Sequence, residues 1–386
     1  MNFNELIDRR HTHSEKWDSM ERFYGVSPDT GLAMWVADMD FRPPSAVTAA
    51  LQAEVAHGVH GYFGDESDHK AAVCGWMQAR HGWVVAPECV STVHGLVAGT
   101  ALSVQAFTEP GDGIILFTPV YHAFARVIKA NQRVVVESPL LLRDGRYVMD
   151  LEGLAAQLTG REKMVILCSP HNPGGRVWSL AELQAVAAFC LAHDLLLVSD
   201  EIHHDLVFAP HQHTVMPLAA PAIRERLVML TAASKTFNIA GGLTGNVIIE
   251  NAALRKRFTA AVMAAGSSPN RFGVLMATAA YQQGAGWLDE LLVYLEGNRQ
   301  VFDAGIATIA GLEPMRLEAT YLGWVNFAAT GLSPQDVIGR VQRDAKIAAS
   351  HGASFGTGGE SYLRFNLATP RSRVEEAVRR LQAVFA

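Results

Sequence analysis

The chain has 386 residues, a formal net charge of −6, and 49% hydrophobic against 18% charged residues. That length allows about two domains and a sizeable core. The acidic balance excludes a basic nucleic-acid footprint, and no apolar run approaches a membrane span. The four cysteines, Cys74, Cys89, Cys168 and Cys190, have no metal-ligand spacing and read as reduced thiols. The N-terminal MNFNELIDRR shows no apolar leader segment, so the expected location is cytoplasmic.

The first forty or so residues carry Trp17, Phe23, Tyr24 and Trp35 in no single period. Pro43-Pro44-Ser45 then opens a helix, AVTAALQAEVAHG, closed by Gly58. Residues 114–121 and 133–138 read as short buried strands, as do 164–170, 195–201, 228–234 and 246–250. The helical SLAELQAVAAFCLAHD separates the third of these from the fourth. Continuous apolar strands alternating with amphipathic helices predict a mixed, mostly parallel sheet covered on both faces. After about residue 285 the style changes. A helix over 287–309, a strand over 320–327, a helix near 333–345, the strand YLRFNLA (362–368) and a closing helix predict a smaller α+β domain. The expected organisation is an arm over 1–45 packed with the small domain 286–386, and a large domain over 46–285.

Several motifs fail on inspection. GASFG (352–356) fits the nucleophile-elbow pattern, which requires an acid and then a histidine downstream of the serine. No histidine follows Ser354. SDHK (67–70) lacks its partner motifs. DEIHHD (200–205) resembles a metal ligand set. Read as a strand, it sends His203 and His204 to opposite faces, so no metal site is expected. There is no P-loop and no G-x-G-x-x-G.

One constellation survives. Lys235 follows the apolar RLVML, and an ammonium there is costly to bury. Asp200 closes LLLVSD, and Asn172 lies in SPHNPGGRVW just past another strand. In open α/β sheets, ligands sit beyond the carboxyl ends of strands. Asn, Asp and Lys at three strand ends are what pyridoxal 5′-phosphate needs: a Schiff-base lysine, an acid for the pyridine nitrogen and a donor to the ring phenolate.

HNPGGRVW, SDEIHHDL and SKTFNIAGG together resemble the fold-type I, class I/II aminotransferase-like family. MWVADMDF (34–41), TEPGDGIILFTPVYHAF (108–124), TYLGWVNF and FGTGGESYLRFNLA (355–368) are similar to its cystathionine β-lyase, or C–S lyase, branch of the MalY/PatB type. The matches run nearly the whole chain. The resemblance implies an aspartate-aminotransferase-like fold with a large sheet domain and a small α+β domain. It makes Lys235 the covalent anchor of the cofactor and pairs Asp200 with the pyridine nitrogen. Asn172 and His203 would lie near the phenolic oxygen, with Tyr121 on the ring face. Gly95, Leu96 and Val97, at a helix start, and Ser234 would hold the phosphate. Tyr62 would reach the cofactor of a neighbouring subunit, which implies a homodimer. Arg364 would bind the substrate carboxylate, with Ala37, Asn172 and Tyr62 alongside the substrate.

The sequence departs from the family in three places. Ala232 stands where relatives often have serine or threonine, no arginine occurs near 243, and Gly174 replaces a commoner threonine. Thr231 or Thr244 is expected to compensate in holding the phosphate. The implied activity is β-elimination from L-cystathionine or a related S-substituted cysteine, giving pyruvate, ammonia and a thiol. Lys235, Tyr121 and Tyr62 are all candidates to protonate the departing sulfur. The alternatives are an aminotransferase, which shares Lys235 and Asp200, and a cofactor-holding protein that regulates a partner.

Overall fold

A computed structural model describes residues 1–385. The arm contributes β1 (Leu32–Met34) after two short helical turns, and the helices Ser45–His57 and Ser67–His81 follow. Seven strands then build the large sheet: β2 (Val90–Val93), β3 (Gly113–Thr118), β4 (Val134–Pro139), β7 (Glu162–Cys168), β8 (Leu196–Asp200), β9 (Leu227–Thr231) and β10 (Gly245–Ile248). A separate hairpin, β5 (Leu141–Arg143) with β6 (Arg146–Val148), lies between β4 and β7. The order across the large sheet is β2-β10-β9-β8-β7-β3-β4. Pairing is parallel from β4 through β9, and β10 runs antiparallel to both of its neighbours. The predicted mixed, mostly parallel sheet is therefore present.

The interior strands β3, β8 and β9 are buried along their whole length, which explains their unbroken apolar sequences. β4 departs from the sequence reading. RVVVES was expected to be buried, yet β4 is the edge of the sheet, and Val134 is half exposed. β2 was not anticipated, because the short, polar VSTV offers too little apolar signal.

The second sheet has five strands in the order β1-β13-β14-β12-β11. Its later members are β11 (Glu313–Pro314), β12 (Leu322–Asn326), β13 (Ile347–His351) and β14 (Tyr362–Asn366). β1 pairs in parallel with β13, so the arm is built into this sheet. The long helix Ala285–Ile306 and the closing helix Arg371–Phe385 pack on each other beside it. The helix expected near 333–345 is shorter and ends in a wider turn over Arg340–Asp344. All four cysteines are free. Among the described residues no helix is long and apolar enough to cross a membrane.

Candidate active site

β3, β7, β8 and β9 run parallel, so their carboxyl ends open on one side of the sheet. Tyr121 follows β3, Asn172 follows β7, Asp200 ends β8, and Lys235 stands on the one-turn helix Ala233–Thr236 just past β9. All four line one cleft of about 550 Å³ between this edge and the small sheet, the usual size for a small-molecule site. Gly95, Leu96, Val97, His203, Ser234, Ala37 and Arg364 line the same cleft.

Lys235 Nζ donates to the Ala37 carbonyl at 2.7 Å, so the arm closes over the lysine. Tyr321 donates to that same carbonyl at 2.8 Å. Asn366, fully buried on β14, donates to the carbonyls of Val36 and Asp38 and fixes the loop from the other side. Desolvation in the cleft pushes the lysine amine down to about 8; Asp38 opposes this, Arg364 adds to it, and Asp200 opposes it.

Asp200 is buried, and among the described residues only the Ile202 N–H donates to its carboxylate, at 3.1 Å. Burial pushes its carboxyl up to about 7, the Ile202 bond works against that shift, and neighbouring Glu201 adds to it. A buried acid with so little support is suited to a cationic partner. His203 is also buried, and its Nδ1 meets no protein partner. Desolvation, then Lys235 and Arg364, hold that imidazole well below its ordinary range, so it is neutral.

Arg364 lies on β14 with 3% exposure. Nη1 donates to Asn172 Oδ1 at 2.9 Å, and Nη2 donates to the Trp35 carbonyl at 2.8 Å and to Ser350 Oγ at 3.2 Å. Its Nε has no partner. Among the described residues no carboxylate pairs with this guanidinium, which leaves its charge available to an anion. At the opposite end of the cleft, helix Gly95–Phe107 begins with no side-chain cap, and Gly95 takes a φ of +77°. Its first N–H groups and the helix dipole favour a bound anion there.

The orphaned His203 Nδ1, the under-supported Asp200, the uncapped helix start and the cool lysine amine together fit pyridoxal phosphate. Two expectations are corrected. Thr231 is not in the cleft, because it faces His204 at 3.1 Å behind the sheet edge. Thr244 turns its hydroxyl onto the Gly242 carbonyl at 3.1 Å and is not in the cleft either. Tyr62 is 99% exposed and does not line the cleft of its own chain. His203 and His204 do part, one to the cleft and one away from it, on a turn rather than a strand.

Sequence reasoning missed Tyr24, Trp35, His94, His122, Cys168 and Ser354 as cleft residues. Ser354, the serine of GASFG, donates its hydroxyl to the His351 carbonyl at 2.7 Å. Cys168 ends β7, and the rest come from loops and the arm, where no periodicity marks them.

A lysine at the carboxyl edge of a mostly parallel sheet, facing a buried acid and an anion-ready arginine, defines a lysine-anchored, pyridoxal-phosphate type of site. The chain belongs to the family of class I and II aminotransferases, whose model matches residues 35–381. It is 39% identical to cystathionine beta-lyase PatB of Bacillus subtilis across the full length of both. A putative aminotransferase from Clostridium difficile, solved with the cofactor bound, matches with a TM-score of 0.96 and 34% identity over all of both chains. Cystalysin from Treponema denticola, which contains pyridoxal 5′-phosphate, matches with a TM-score of 0.95 and 34% identity over 99% of this chain and 98% of its own.

Proposed function

We propose that this chain is a pyridoxal-phosphate-dependent carbon–sulfur β-lyase acting on L-cystathionine or a related S-substituted cysteine. The observation that carries the reading is the set Lys235, Asp200 and Arg364 in one cleft, in a chain similar from end to end to a cystathionine beta-lyase. Lys235 would hold the cofactor, Asp200 its ring nitrogen, and Asn172 and His203 its phenolic oxygen. Tyr121 would cover the ring face, and the start of helix Gly95–Phe107 with Ser234 would take the phosphate. When bound, the cofactor supplies a sink for the electrons left as a substrate Cα loses its proton.

The protein's own groups do the rest. Arg364 binds the substrate carboxylate, using a fork whose Nε is already free. Lys235, with its amine lowered to about 8, is partly neutral near pH 7.5 and takes the Cα proton. Asp200 keeps the ring nitrogen protonated. Loss of the Cβ–S bond then releases the sulfur, which leaves as a thiol on taking a proton from Lys235, Tyr121 or Tyr62, and water hydrolyses the remaining three-carbon fragment to pyruvate and ammonia.

We further assign the chain to a cytoplasmic homodimer, with Tyr62 serving the partner's site. Its near-complete exposure in one chain supports this role. The arm 1–45 and residues 286–386 form the small unit, and 46–285 the large one. Transamination is the second reading, because Lys235 and Asp200 serve it equally and a close structural neighbour is described as a putative aminotransferase. Borohydride treatment of the yellow holoprotein, followed by peptide mapping, tests the common core. A pyridoxyl group on Lys235 is expected, and a colourless protein with no such adduct would end this reading.

A further inference from the structure

Outside the cleft, behind the lysine turn, one buried carboxylate gathers an unusual number of donors. Asp205 is 6% exposed. Trp76 Nε1 donates to both of its oxygens at 3.1 Å. His81 Nε2 lies 2.8 Å from Oδ1. Thr236 Oγ1 donates to Oδ2 at 2.8 Å. His204 Nε2 lies 3.3 Å from Oδ2 and also 3.1 Å from Thr231 Oγ1.

The placement of these partners matters. Thr231 is the last residue of β9, and Thr236 closes the turn that bears Lys235. Asp205 therefore grips both ends of the segment Thr231–Thr236, directly at one end and through His204 at the other. Trp76 and His81 tie that grip to the end of helix Ser67–His81. His81, His204 and Asp205 also have the spacing of a cation site, their ligating atoms lying within 4.8 Å of one another. Both Asp205 oxygens already receive protein donors, so the carboxylate is satisfied as a hydrogen-bond node, while His204 Nδ1 has no partner among the described residues.

We propose that Asp205 is a positioning residue for Lys235, fixing through Thr236 the turn from which the lysine enters the cleft. This rests on the reading of Lys235 as the cofactor anchor. A mobile turn would let the amine wander, and small misplacements of a reacting group are costly. A packing role alone would leave the behaviour of this one amine unchanged.

The test uses cofactor-loaded protein with Thr236→Val, Thr236→Ser and Asp205→Asn. Thr236→Val keeps the side-chain shape and removes only the hydroxyl, so it remains informative even if Asp205→Asn fails to fold. The measured quantities are kcat, KM, and the pH midpoint of the bound cofactor's absorbance. The charged and titratable groups facing Lys235, which are Asp38, Arg364, Asp200 and His203, are the same in all variants. For Thr236→Val the expectation is a fall in kcat of roughly 10- to 100-fold with KM little changed. The absorbance midpoint should move by about half a pH unit or more, and Thr236→Ser should restore both. Wild-type kcat and midpoint in Thr236→Val would overturn the proposal, even if thermal stability fell. A Lys235→Ala protein that still turned over would instead overturn the assignment of Lys235 itself, and the two failures are distinct.

Discussion

Arg364 Nη1 and Asn172 Oδ1 meet at 2.9 Å across 192 residues of sequence. The bond joins the small sheet to the carboxyl edge of the large one at the cleft. It sets the guanidinium by three contacts, to Asn172, the Trp35 carbonyl and Ser350, before any substrate arrives. Burial pushes Arg364 down to about 10, still charged at neutral pH. A charge buried without an acidic partner is stable in this setting only because neutral dipoles surround it, and a substrate carboxylate would complete it.

Arg364→Lys should lose the planar fork while keeping the charge. Breaking a buried hydrogen-bonded charge pair costs about 2–5 kcal/mol, so kcat/KM should fall at least ~30-fold. Cofactor binding should be largely preserved, since of the assigned phosphate and ring contacts only Asn172 touches Arg364. Steady-state kinetics beside a cofactor titration checks both parts. Unchanged kcat/KM would remove Arg364 from substrate binding.

Asp200 and Lys235 give stability opposite slopes with pH in the cofactor-free protein. The Asp200 carboxyl is raised from 3.8 to about 7. Between those values the folded chain holds a proton that the unfolded chain has lost, so stability falls as pH rises through that window. The Lys235 amine is lowered from 10.5 to about 8. Between about 8 and 10.5 the unfolded chain holds the extra proton, so stability rises with pH there. Asp200→Asn should therefore raise the melting temperature of the cofactor-free protein at pH 7–8 by a few degrees. It should also flatten the decline between pH 4 and 7, while abolishing most activity. Thermal scans across pH, with and without cofactor, read this directly. A lower melting temperature for Asp200→Asn without cofactor would mean the carboxylate is stabilised by contacts the cleft does not provide.

Tyr62 can be tested without a structure of the dimer. If it serves the neighbouring subunit, Lys235→Ala and Tyr62→Ala chains mixed into one dimer produce one site with both residues intact. Activity should then reappear on mixing two variants that are each strongly impaired. If Tyr62 serves its own chain, every site in the mixed dimer carries a lesion, and mixing restores nothing.

Much of the cleft was legible because chemistry and topology coincide. Lys235, Asp200 and Asn172 follow apolar runs, and strands that end at one sheet edge deliver whatever follows them to one place. Arg364 was legible only through the resemblance that FGTGGESYLRFNLA carries. Tyr24 and Trp35 were not, since they reach the cleft by way of the arm, whose path depends on β1 pairing with β13 far along the chain. The Asp205 node was likewise invisible: its partners Trp76, His81 and Thr236 converge only when helix Ser67–His81 packs against the lysine turn. The error over β4 has a simple origin, for an apolar run does not tell an edge strand from a central one. Thr231 failed as a phosphate contact because neighbouring His204 claims its hydroxyl.

The most direct measurement is pyruvate release from L-cystathionine by the purified protein, with pyridoxal phosphate supplied and no keto acid. The lyase reading requires continuous release over many turnovers, with ammonia and thiol in equal amounts. A single conversion of the cofactor to its amine form, with turnover restored only by a keto acid, would instead identify a transaminase and refute β-elimination as the activity of this cleft.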